Sequence, residues 1–176
     1  MSKYKDWLSY HLTTCDKSAR SIYFLSGYAA GGLTAGRMDE NTYKGIATYH
    51  AAADADRQDM DCLLDAVADS GPIDKMEYLD GLRATVKRYR AARGLDGNDE
   101  QRERAAKMCG LDSSEELKER VAARWMAWLL GYLTAAVCLD LISPAVLPDL
   151  YDVATAENST ENAAANLLLE RWSDGV

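Results

Sequence analysis

Slid against itself by 104 positions, the chain matches without a gap. Arg20 falls on Arg124, Leu25 on Leu129, Gly27 on Gly131, Tyr28 on Tyr132, Leu63 on Leu167 and Leu64 on Leu168. Between these anchors Ile22 meets Met126, Phe24 meets Trp128, Leu33 meets Val137, Met38 meets Ile142 and Ile46 meets Leu150, so side-chain size and polarity are kept where identity is not. The matched joint carries the same start signal twice: Asp39 and Ser143 are both good N-caps, and Ser143 is followed by Pro144 at the first helical position.

The pattern inside each copy is helical. Ala, Leu, Glu, Lys and Arg fill long stretches, only three prolines interrupt them, and no alternating strand pattern stands out. The expected helices are about 3–14, 17–35, 39–69, 72–93, 98–109, 113–141 and 143–172, the last with a break near Asn158. These readings predict an all-α helical bundle in one domain, 1–176. Two pseudo-repeated long hairpins, 19–69 and 123–173, enclose a shorter helical insert, 72–109. With 176 residues and 48% apolar content the chain can bury a substantial core.

The stretch GYAAGGLTAG, from Gly27 to Gly36, has the look of a phosphate loop but not its parts. It has no lysine at the required place, no preceding strand and no Gly-x-Gly-x-x-Gly. Its second copy reads GYLTAAVCLD, with alanines in place of Gly31 and Gly32. Small residues at Gly27 and Gly31, or at Gly32 and Gly36, instead fit close approach of a neighbouring helix. Such packing has to offset about 1 kcal/mol for each helical glycine relative to alanine.

No residue pattern announces catalysis, a cofactor or a metal. His11 stands one turn before Cys15 and His50 one turn before Asp54, but two ligands do not make a metal site. DADRQDMD, residues 54–61, lacks the glycine and terminal glutamate of a calcium loop. The four cysteines are far apart without a C-x-x-C pair and are expected to be buried thiols. An enzyme with Tyr28, Tyr132, Trp125 and Trp128 lining a cavity is the weaker reading, because aromatics at helical spacing usually form core. Two uncharged stretches, 21–36 and 125–139, fall short of the ~20 apolar residues of a membrane span. The N-terminus has no apolar run of signal-peptide length, so a cytoplasmic location is expected.

Charge points to partners. The net charge of −8 disfavours general attraction to nucleic acid or anionic lipid. On the helix expected at 39–69, Asp54, Asp61, Asp65 and Asp69 form a stripe away from the apolar face, and Asp65 and Asp69 sit near its C-terminus, where the dipole disfavours them. Such a row of carboxylates can occupy a groove built for phosphates. A local basic excess, with Arg83, Lys87 and Arg90 on one face and Arg102 and Arg104 on the next helix, supports the alternative of direct nucleic-acid binding. Ordinary capping accounts for much of it: Arg88, Arg90 and Arg93 precede Gly94, and Asp99 and Glu100 open the next helix. The expectation is therefore a non-catalytic protein that binds another protein, such as a nucleic-acid-binding effector, through its acidic helix. In style, though in no motif, it is similar to the small acidic phage and mobile-element inhibitors of host defence, anti-CRISPR and anti-restriction proteins among them.

Overall fold

The computed structural model describes residues 2–49, 56–94 and 98–172. The regular structure of those residues is helical, without a strand: α1 Lys3–Thr14, α2 Ala19–Thr34, α3 Glu40–Thr48, α4 Arg57–Asp65, α5 Lys75–Arg93, α6 Asp99–Met108, α7 Ser114–Cys138, α8 Leu147–Thr155 and α9 Glu161–Glu170. Each of them but α8 begins at a residue whose side-chain oxygen accepts a hydrogen bond from a first-turn amide, as Ser18 does from Ser21 and Asp56 from Asp59. A cap of this kind stabilises a helix by ~1 kcal/mol. α8 is led in by a short 3-10 turn, Pro144–Val146, capped by Ser143.

The helix expected to run unbroken from 39 to 69 is two helices. α3 ends at Thr48, Tyr49 donates its hydroxyl hydrogen to the Asp56 carbonyl at 2.9 Å, and Asp56 caps a fresh start. A capping aspartate has its best local use at an N-terminus, and that preference overrides the apolar periodicity that runs through the segment. The second break falls at 156–160, around Asn158, where Thr160 caps α9.

α2 and α7 form the centre. Their contact partners rise together along both chains: Gly27 with Trp128, Tyr28 with Gly131 and Gly31 with Ala135, so the two helices run in the same direction. A Cβ on Gly27 would strike the Trp128 carbonyl, and one on Gly131 would strike the Phe24 carbonyl. Because the obstacle is backbone in both cases, glycine is required there, and the pair Gly27 and Gly31 faces the pair Gly131 and Ala135 as small residues that let two helix backbones touch. Gly36 does something else. It is exposed with φ +67°, and ends α2 in the left-handed conformation where the Arg37 amide reaches back to the Gly32 carbonyl at 2.8 Å. Asp140 ends α7 in the same way, with φ +58° and the Leu141 amide on the Ala136 carbonyl at 2.9 Å.

Two tyrosine couples clamp this centre. Tyr4 of α1 and Tyr28 of α2 each donate to the other's carbonyl, at 3.1 and 3.0 Å, with rings stacked 4.8 Å apart. Tyr78 of α5 and Tyr132 of α7 do the same, at 2.9 and 2.7 Å, with ring centroids again 4.8 Å apart. Burial pushes all four phenols far above their ordinary pKa, which holds them as neutral donors. α3 covers α2, α8 covers α7, α9 packs on α5 and α8, and α6 rests on α7. Ile46, Leu150 and Leu168 are fully buried. One window of α7 is long and apolar enough to cross a membrane, with mean hydropathy 1.4, but 56% of it is buried inside the protein.

Candidate functional site

The acidic stripe survives in part. Asp54 lies outside the described residues. Asp61 and Asp65 are exposed, one turn apart on α4, and neither has an ion-pair partner among the described residues. Asp69 is not on the helix: α4 ends at Asp65, and the Asp69 carboxylate accepts from the Ser2 backbone amide at 3.1 Å. The like-charge penalty expected between Asp65 and Asp69 on one helix therefore does not arise. Much of the chain's other acidity is taken up in structure, with Asp39, Asp56 and Asp74 serving as helix caps.

The basic set is more fully committed. Arg83 pairs with Asp80 at 2.7 Å and reaches Asn162; Arg102 pairs with Asp99 at 2.7 Å; Arg104 pairs with Glu100. Arg90 donates to the Glu157 carbonyl at 3.3 Å. Lys87 is exposed. The face with Arg83 and Arg90 thus binds α5 to the segment around α9, and Arg102 is packed over Gly94 with Nη2 buried and without a hydrogen-bond partner among the described residues.

Other expected candidates also find their places. His11 is wedged among Trp7, Tyr10, Phe24 and Tyr28, and burial lowers its pKa. His50 is outside the described residues, and no group of three or more potential metal ligands occurs among those that are described. The cysteines are not all buried: Cys138 is, Cys15 is half-buried, and Cys62 and Cys109 are exposed. Cys62 falls on the side of α4 opposite the core-facing Met60 and Leu64, and Cys109 follows the last residue of α6. Tyr28 and Tyr132 are sealed in the core, while Trp125 and Trp128 pack against each other and against Tyr23.

Sequence reading missed a groove beside the start of α2. Two adjoining hollows of about 230 and 490 Å³ share Arg20, Ala127 and Leu130 on their walls. Arg20 and Arg124 stand at the rim of the larger one without a carboxylate partner among the described residues; Arg124 lies over the Tyr23 ring at 5.7 Å. Arg120, also at the rim, is held by Glu116 at 2.9 Å. The self-match that places Arg20 on Arg124 carried this signal, but the hollow itself depends on which side chains are small nearby.

No known protein family, curated protein or solved structure matches the chain.

Proposed function

We propose that this is a non-catalytic binding protein of the cytoplasm that inhibits or regulates another protein, in the manner of a phage or mobile-element inhibitor acting on a nucleic-acid-targeting defence complex. The observation that carries the reading is the pair Asp61 and Asp65. They are exposed on a short helix and free of countercharge among the described residues, in a chain where many other carboxylates cap helices or pair with arginines. A basic phosphate-binding groove on a partner is the natural complement of such a pair.

The test is a tagged pull-down from bacterial lysate, at two salt concentrations and with and without nuclease, run beside the double variant Asp61→Asn/Asp65→Asn. A nuclease-resistant protein that itself binds nucleic acid, and that the double variant fails to retain, supports the reading. Equal recovery by both forms removes the acidic surface from consideration. Direct nucleic-acid binding through Arg83, Lys87, Arg90, Arg102 and Arg104 is the alternative, and it predicts nucleic acid recovered directly and lost steeply with salt. Three of those five side chains already hold a carboxylate, which weighs against it.

The architecture that presents this surface is best explained as two copies of one helical unit. The left-handed ends at Gly36 and Asp140, the caps at Asp56 and Thr160, and the crossings Gly27 on Trp128 and Gly131 on Phe24 all recur at the 104-residue offset that aligns the sequence. The matching tyrosine couples extend the unit backwards, with α5 in the place of α1 and α6 as the added element.

A further inference from the structure

We infer that the groove beside the start of α2 and the middle of α7 is a binding site for a small amphipathic organic anion, an apolar body carrying a carboxylate or similar head group. The hollow of about 490 Å³ is in the range of small-molecule sites, and the adjoining 230 Å³ extends it. Its floor is apolar, with Ala123, Met126, Ala127 and Leu130. Its rim is cationic: Arg20 and Arg124 have no carboxylate partner among the described residues, and Arg120 adds a guanidinium already held by Glu116. No Asp, Glu or Lys is among the described residues that line either hollow, although the chain has 28 acids and a net charge of −8. Asp16, the acid closest in sequence to Arg20, accepts from the Ser18 amide at 2.9 Å and is not among the lining residues. An anion placed here meets two guanidiniums and no fixed negative charge on the walls, and charge-assisted hydrogen bonds to arginine are about twice as strong as neutral ones.

The groove exists because the two sides of the central helix pair are filled differently. On one side Tyr23, Trp125 and Trp128 pack together, with ring centroids 5.3–6.5 Å apart. The positions that correspond at the 104-residue offset are Ala127, Ser21 and Phe24, and these three line the smaller hollow. Exchanging a tyrosine and a tryptophan for an alanine and a serine opens space at one place while the helix contact beneath is kept by Gly27 and Gly131. This site is separate from the carboxylates of α4, and it stands whether or not those bind a protein.

The experiment uses decanoate and 8-anilinonaphthalene-1-sulfonate as anionic probes, with decyltrimethylammonium as a cation of the same tail length, on the full chain. Calorimetry and fluorescence should give one saturable site for each anion, with the cation binding at least about tenfold more weakly. Arg20→Gln should weaken decanoate about tenfold and Arg20→Gln/Arg124→Gln further still. Ala123→Trp, at an exposed floor position, should block the site with both guanidiniums intact, and Lys87→Gln, outside its lining, should change nothing. The melting temperature and far-UV spectrum of each variant check that it is folded. Absence of binding at millimolar decanoate, equal binding of the cation, or unchanged affinity in folded Arg20→Gln/Arg124→Gln or Ala123→Trp overturns the proposal.

Discussion

The two faces of the α2/α7 pair share a helix register and differ in what covers it. One carries the Tyr23, Trp125 and Trp128 cluster, with Arg88 over Trp125 at 5.3 Å. The other carries Ser21, Phe24 and Ala127 around a hollow. The contrast separates two tasks that side chains perform on one scaffold. Residues at the helix contact set the architecture and tolerate almost nothing, whereas residues one layer out decide whether a face is closed or open.

The largest effects belong to the contact itself. Gly27→Ala and Gly131→Ala should each cost ~3 kcal/mol or more, because a new methyl meets a carbonyl that cannot move without moving its helix. Chemical denaturation of both variants checks this; if only one proved costly, the reciprocity of the crossing would be broken. Tyr23→Ala should open on the filled face what Ala127 leaves open on the other, at a cost of ~2 kcal/mol. A new saturable signal from 8-anilinonaphthalene-1-sulfonate in that variant would sharpen the contrast.

The tyrosine couples predict a smaller, matched pair. Tyr4→Phe and Tyr78→Phe each remove one buried hydroxyl donor and should each cost ~1 kcal/mol. A large inequality would show that the couples are alike in geometry only.

His11 lines the smaller hollow, on the open face, and burial holds its pKa below the ordinary imidazole value. The unfolded chain therefore binds the proton more readily. The associated stability is complete above pH ~6.5 and is lost as pH falls from there towards the lowered folded-state value. Thermal melts between pH 7.5 and 5 should show this decline in the parent protein and a shallower one in His11→Phe. Smallest of all, Asp61→Asn/Asp65→Asn should leave stability within ~0.5 kcal/mol of the parent, since the two carboxylates support no contact among the described residues.

Much of the fold was legible because helix signals are local. α1 coincides with its expected span, and Gly94 and Ser143 act where turn chemistry placed them. The long helix over 39–69 was misread because apolar spacing continues through Met60 and Leu64 with no sign of interruption except Asp56, and a capping aspartate looks the same as a surface one until the chain turns at it. The same ambiguity inflated the acidic stripe: Asp69 reads as a helix carboxylate but serves the Ser2 amide, 67 residues away. The expectation for Gly36 failed for a related reason, since glycine allows both close packing and a left-handed turn, and sequence does not say which is used. The basic cluster misled in the opposite direction, because formal charge is countable in sequence and pairing is not.

What the sequence determined by itself is the helical character of the chain, since propensity, caps and periodic apolar positions all act within a few residues. Only the tertiary structure decided that α2 and α7 run side by side in the same direction with their backbones touching at Gly27 and Gly131. It also decided which arginines would be paired and which left at the rim of an open groove. Those outcomes depend on distances between residues about a hundred positions apart, and such distances are fixed by packing, which no local pattern encodes.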